Sequence, residues 1–193
     1  MRYDAEHKQK TREKVLDAAA EAIRAEGPHK LGVAGVMAKA GLTHGGFYAH
    51  FQSKEDLVAA TIEHMFARSR LVRLDNDASL GPAEKLNAFI DWYLSPAHRD
   101  SPAGCALPAL AADAQRLTPE VRDAYSKGMA GMTGRVAELL RQLGRAEAED
   151  LATSTVAEMV GGLMLARAEP DITRSDLMLE RSKHVLVQRL NLE

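Results

Sequence analysis

The chain has 193 residues, 46% of them hydrophobic and 27% charged, with a net charge of −2, the balance of a globular protein rather than a disordered one. Its one cysteine, Cys105, excludes an internal disulfide framework and a multi-cysteine zinc site. The charged N-terminus lacks a signal-peptide core, and the longest apolar stretches, near 103–112 and 159–166, are too short to span a bilayer, so a cytoplasmic protein away from membranes is expected.

Strand signals are nearly absent and helical periodicity recurs, which predicts an all-α chain of about nine helices. The first runs from about Glu6 to Glu26, with Val15, Ala18, Ala19, Ala22 and Ile23 as its apolar stripe, and stops at Gly27-Pro28. A short helix over Val33–Ala40 ends at Gly41, and Thr43 caps a second short helix over His44–His50. Ser53 opens the next, with Glu55 and Asp56 in its first turn, continuing to about Leu71. Residues 75–81 read as a loop, 83–94 as a helix led by Pro82, and 95–102 as a break. A small apolar helix over 103–115 contains Pro108, which kinks or restarts it. Three longer helices follow, over about 118–143, 146–168 and 174–190.

Residues 1–54 hold nine Lys/Arg against six Asp/Glu, a charge of +3, and the remainder carries −5. A basic head on an acidic body suggests a polyanion-binding end. Residues 35–57 strengthen that reading: helix, tight glycine turn, short helix and serine-capped helix make a helix-turn-helix, whose second helix can enter the major groove of DNA. Gly45 and Gly46 let the backbone approach DNA closely. Thr43 and His44 lie at a helix start that favours a phosphate. Tyr48 and His50 extend polar groups from the same segment, and Lys54 offers the DNA backbone a point charge. Phe47 and Phe51, four residues apart, read as core residues, and His50 also reads as a simple cap or solvated ring. Lys10 and Lys39 read as surface charge.

Residues 8–57 resemble the DNA-binding domain of the TetR family of transcriptional repressors. The resemblance rests on Thr11-Arg12-Glu13 with Leu16, Ala18 and Ala19, on Ala40-Gly41-Leu42-Thr43, and on Gly45-Gly46-Phe47-Tyr48-x-His50-Phe51-x-Ser53-Lys54-Glu55-x-Leu57. The Gly104-Cys105-Ala106-Leu107-Pro108-Ala109-Leu110 segment resembles one branch of that family. The resemblance implies phosphate contacts from Thr43, Tyr48 and Lys54, and approach to base edges by His44, Gly45 and Gly46. Gly32 stands where many members have a threonine opening their second helix, and Gly35 where an acidic residue is common, so no phosphate contact is carried over there.

The resemblance also implies two domains: a three-helix head over 1–54 and a ligand-binding and dimerisation body over 55–193, with the helix from about 53 linking them. Effector-pocket candidates are Phe66, Trp92, Tyr93, Cys105, Leu107, Leu110, Tyr125, Met129 and Met132, a methionine and aromatic mixture suited to an adaptable apolar cavity. Each also reads as plain core. Cys105 reads first as a small buried hydrophobe, with an oxidant or electrophile sensor as the alternative. Val156, Met159, Val160, Leu163, Met178, Val185 and Leu186 are dimer-interface candidates, with burial inside the subunit as the alternative; two helices per subunit would form a four-helix interface. A two-fold homodimer places its recognition helices roughly 34–36 Å apart and expects a palindromic double-stranded operator, released by a small apolar or amphipathic effector. No cofactor or metal is expected. The rival classes are an enzyme, for which no His-x-x-x-His, Gly-x-Ser-x-Gly, Walker or dinucleotide motif is present, and a dimeric small-molecule carrier whose head does not bind DNA.

Overall fold

The computed structural model describes residues 2–101 and 105–192. Its regular structure is helical throughout, with ten α-helices, two short 3-10 helices and no strand among the described residues. The chain divides into two compact units, one comprising residues 1–67 and 109–128, the other 68–108 and 129–193.

In the first unit, α1 (Arg2–Glu26) packs against α2 (Val33–Lys39) and α3 (Lys54–Ala67). Val15, Leu16, Ala19 and Ile23 of α1 meet a core completed by Val36, Met37, Leu57 and Ile62, all nearly or fully enclosed. Of the expected α1 stripe only Ala22 is half-exposed. α2 starts at Gly32, which is extended and offers no side-chain cap. It ends where Gly41 adopts φ +75. The Gly41 amide there donates to the Ala38 carbonyl and the Leu42 amide to the Met37 carbonyl, closing the helix with a left-handed cap. Gly144 and Asn191 close later helices with the same paired bonds.

α3 is set by its first turn. Ser53 Oγ accepts the Asp56 amide at 3.0 Å, and the Asp56 carboxylate accepts the Gln52 amide at 2.8 Å, satisfying amides that a helix start leaves unpaired. α3 then buries Leu57 to Ile62, Met65 and Phe66, and the first unit runs past residue 54, the expected end of the head, to 67. The helix expected to continue to Leu71 stops at Ala67. Ser69 is extended and accepts the Val72 amide at 3.4 Å, which starts a separate helix, α4 (Arg70–Asp75); a serine that bonds backbone locally competes with helix continuation.

In the second unit, α5 (Pro82–Tyr93) begins with proline at its first turn, and Glu84 accepts the Gly81 amide at 2.7 Å. The expected break after it holds a short helix, α6 (Pro96–Arg99), capped by Ser95 Oγ. α7 is shorter than expected, Ala106–Leu110; residues 103 and 104, placed in that helix by the sequence, lie outside the described residues. Pro108 falls in its first turn, where its missing amide costs no helical bond, and the 3-10 helix Ala114–Arg116 follows. α8 (Pro119–Gln142) contributes its first ten residues to the first unit and the remainder to the second. α9 (Ala148–Ala168) and α10 (Ile172–Leu190) form a helical hairpin.

A buried polar knot holds that hairpin. The Arg99 guanidinium, 5% exposed, donates to Ser175 Oγ at 2.7 Å and Asp176 Oδ1 at 2.6 Å, while Ser175 donates to the Ala166 carbonyl. Arg167 donates to the carbonyls of His98 and Arg99. His98 is fully buried, stacks on Trp92 at 4.0 Å between ring centres, and places Nδ1 2.8 Å from the Tyr93 carbonyl. Its Nε2 accepts the Cys105 amide at 3.2 Å. Burial, the largest effect, holds its pKa below the ordinary histidine value, so the ring is neutral, with Nδ1 as donor and Nε2 as acceptor.

Within the first unit, the Phe66 ring lies where a β-carbon on Gly128 would sit. Gly131, three residues further along α8, faces open space. Gly131→Ala is therefore expected to stabilise the protein by up to about 1 kcal/mol. Gly128→Ala is expected to destabilise it by about 1–3 kcal/mol. Urea unfolding of both variants checks this, and equal effects at the two positions would contradict it.

Candidate nucleic-acid interface

Two aromatic side chains pin the segment between α2 and α3. Phe47 and Phe51 are 3% and 2% exposed and stack with ring centres 5.7 Å apart. Burying each contributes about 1.5–3 kcal/mol. With that side held in the core, the opposite side of residues 44–49 faces outward. His44, Gly45 and Ala49 are exposed, and Tyr48 is 72% exposed, its ring edge resting on Phe47 at 5.2 Å.

The segment His44–Ala49 is a 3-10 helix rather than the expected α-helix. It has six residues, two of them glycine, and closes with tighter three-residue hydrogen bonds, a form used in short pieces. Thr43 occupies the cap position by its backbone, but its hydroxyl makes no cap bond; its carbonyl takes the Gly46 amide at 3.0 Å instead. The expected side-chain cap is thus absent.

The two glycines differ from Gly41. A β-carbon at Gly45 would meet nothing within 4 Å, and one at Gly46 would make only ordinary contacts with Met37 and Thr43. Neither has a positive φ. The fold itself does not require glycine at 45 or 46.

Lys54, the first residue of α3, is half-buried, and its ammonium donates to the His29 carbonyl at 2.9 Å. His50, at the end of the 3-10 helix, is also half-buried, with Nδ1 enclosed and without a hydrogen-bond partner. Burial, then the charges of Lys8 and Arg12, lower its pKa from the ordinary value. Lys10 bonds Glu6 and Lys39 bonds Glu21, both on exposed surface.

The remaining sequence candidates fall in both units. Phe66, Leu110 and Tyr125 belong to the first, where the Phe66 and Tyr125 rings meet edge-on at 6.5 Å. Trp92, Tyr93, Cys105, Leu107, Met129 and Met132 belong to the second. Tyr93, Leu107 and Met132 are buried there, Trp92 and Cys105 half-buried, and Met129 exposed. A cleft of about 160 Å³ in the first unit lies between the Pro28–His29 turn, the start of α3 and residues 116–121; none of the nine candidates lines it. Of the dimer-interface candidates, Val156, Met159, Leu163 and Leu186 are buried within the chain itself. Their side chains are thus core, the alternative weighed for them, in two helices that pack against each other and against α5. Val160 and Met178 are half-buried, and Val185 is exposed together with Met164, Leu165, Ile172 and Leu177. Among the described residues, no cluster of three or more His, Cys, Asp or Glu could hold a metal, and no helix is long and apolar enough to cross a membrane.

Residues 15–61 match the family of bacterial regulatory proteins, tetR family, and residues 82–176 match the C-terminal domain of LmrA/YxaF-like transcriptional regulators. An HTH-type transcriptional regulator of Mycobacterium tuberculosis is 26% identical across 93% of this chain and 95% of its own length. The HTH-type transcriptional regulator LmrA of Bacillus subtilis is 26% identical, covering 81% of this chain and 86% of the relative. Among solved structures, a TetR transcriptional regulator from Legionella pneumophila superposes with a TM-score of 0.74 at 25% identity, covering 91% and 95% of the two chains. Reduced NemR of E. coli superposes with a TM-score of 0.79 at 24% identity, over 92% and 95%, a likeness of fold.

The two kinds of glycine make a paired prediction. Gly41→Ala, forced to keep a positive φ, is expected to lower stability by about 1–2 kcal/mol. Gly45→Ala is expected to leave stability unchanged or raise it by up to about 1 kcal/mol. Thermal or urea unfolding decides, and a large drop at Gly45 would mean the fold requires that glycine.

Proposed function

Because the chain belongs to the TetR family of bacterial transcriptional regulators, we propose that it acts as a ligand-responsive repressor, binding a palindromic operator as a homodimer and released by a small apolar or amphipathic effector. The observation that carries the DNA-binding face is the outward side of residues 43–48, held by the buried Phe47–Phe51 stack. Glycines unneeded by the fold leave room for the DNA backbone and base edges, with His44 and both glycines nearest the bases. Thr43 and the exposed Tyr48 hydroxyl contact phosphates, and Lys54 does so by leaving the His29 carbonyl. His50 sits at the end of that face.

The effector acts through the body. Phe66 of α3 meets Tyr125 and lies against Gly128 of α8, so a ligand that shifts α8 moves the helix whose first turn carries Lys54. A coupling of about 1–3 kcal/mol between ligand and operator changes affinity usefully. Trp92, Tyr93, Leu107 and Met132 of the second unit remain the proposed source of the pocket lining. The dimer forms through α9 and α10, with Val185, the half-buried Val160 and Met178, and the exposed Met164, Leu165 and Leu177 as its apolar contacts.

DNase footprinting beside the protein's own gene, with and without a ligand panel, tests the reading; absence of any protected palindrome would sink it. Tyr48→Ala is expected to weaken binding to all sequences alike and to lower the salt dependence, whereas changing His44 is expected to alter sequence preference. Uniform weakening on changing His44 would remove it from the base readers. Leu165→Glu is expected to shift the dimer to monomer in sedimentation without unfolding it; an unchanged dimer would move the interface elsewhere.

A further inference from the structure

The cations of α1 are unevenly matched with acids. Glu6 pairs with Lys10, Glu13 accepts from Gln9, Asp17 meets His64 at 2.7 Å, and Glu21 pairs with Lys39. Every acidic side chain of α1 from residue 6 to 21 is thereby engaged. Lys8 and Arg12 have no acidic partner among the described residues. They lie one turn apart, hence on one helix face. That face adjoins the end of the recognition segment: the Arg12 guanidinium sits over the Phe51 ring at 4.9 Å, and the His50 ring lies 6.3 Å from Phe51. Stacking on an aromatic face fixes the guanidinium without neutralising it. Both charges are felt at the His50 ring, whose pKa they help to lower. With Nδ1 of His50 enclosed, Nε2 is the ring nitrogen that can meet a ligand.

We propose that Lys8 and Arg12 of α1, which lie outside the helix-turn-helix motif, join His50 in a phosphate subsite that takes one phosphodiester of the DNA backbone. The proposal rests on the DNA-binding reading above. The subsite is anionic in preference because Arg12 and His50 meet at the Phe51 ring, the Lys8 and Arg12 charges both act on His50, and among the described residues no carboxylate pairs with either cation. Phosphodiester is the chemistry favoured by its place beside the recognition segment. Arg12 supplies a positioned fork of N–H donors, Lys8 a mobile point charge, and His50 a hydrogen bond from Nε2 once the phosphate offsets the neighbouring cations. Lys10, which points its charge at Glu6 on the same helix, takes no part.

The test uses the full-length protein on a mixed-sequence DNA duplex, which needs no knowledge of the operator. Binding is measured across a salt titration for wild type, Lys8→Gln, His50→Gln and the control Lys10→Gln. Lys8→Gln is expected to lower the slope of log affinity against log salt by about 0.9 for every phosphate it no longer neutralises, one phosphate per subunit, whereas His50→Gln, which removes an uncharged donor, is expected to weaken binding with little change of slope. Lys10→Gln is expected to leave the slope unchanged. Since Lys8 is exposed, replacing it does not threaten folding. In a second measurement, inorganic phosphate is titrated against the His50 ring resonances. It is expected to shift them in wild type and much less in Lys8→Gln. Wild type that binds the duplex while Lys8→Gln matches Lys10→Gln overturns the subsite alone, as does a His50 resonance that phosphate never moves. Wild type that fails to bind duplex DNA at any salt overturns both the subsite and the DNA-binding reading beneath it.

Discussion

The burial of Phe47 and Phe51 is the contact on which the recognition face depends. A six-residue 3-10 helix with two glycines has little stability of its own, since short helices are marginal without tertiary packing. Stacked at 5.7 Å and almost wholly enclosed, the two rings supply that packing. They also decide orientation, because fixing one side of so short a segment leaves the other side to solvent. Tyr48 owes its exposure to its neighbour's burial. Arg12 closes over Phe51 from α1, so the same ring that anchors the segment also organises the cations beside it.

A second constraint operates further along the first unit. Only glycine at 128 lets the Phe66 ring fit against α8. α3 therefore carries two jobs: Lys54 at its start and Phe66 near its end, with an almost continuous buried run between them. A serine–aspartate cap fixes one end of that helix and the Phe66 ring against α8 fixes the other. In the second unit the rigid feature is the α9–α10 hairpin, where Arg99 satisfies Ser175 and Asp176 and neutral His98 ties the end of α5 to the Cys105 amide. A buried charge left unpaired is expensive, which makes this knot a strong specifier of how the hairpin meets α6.

Much of this is legible in the linear chain. Gly41 and Gly144 mark helix ends because only a residue tolerant of positive φ closes a helix with paired backbone bonds. Ser53 with Asp56 announces a helix start, and the i, i+4 spacing of Phe47 and Phe51 announces which side is core. Those signals are local, lying within a few residues of what they determine. The departures are of another kind. Ser69 and Ser95 start helices where a continuous helix and a loop were expected, because the hydroxyl's choice between local backbone and solvent depends on how the next helix packs. The hydroxyl of Thr43 makes no cap because the backbone takes the tighter 3-10 spacing.

The amino-acid order by itself determined the all-α class and the helix-turn-helix, since each follows from short-range periodicity and capping. Tertiary structure alone decided which side of α9 and α10 is core, so that Val156, Met159, Leu163 and Leu186 went inside and Leu165 and Val185 stayed out. It alone set Lys54 on the His29 carbonyl, brought Phe66 to Gly128, and gathered Lys8 and Arg12 beside His50. These pairs are separated by 25 to more than 60 residues or belong to different helices, and no periodicity encodes a contact across that distance; only the packing of whole helices does.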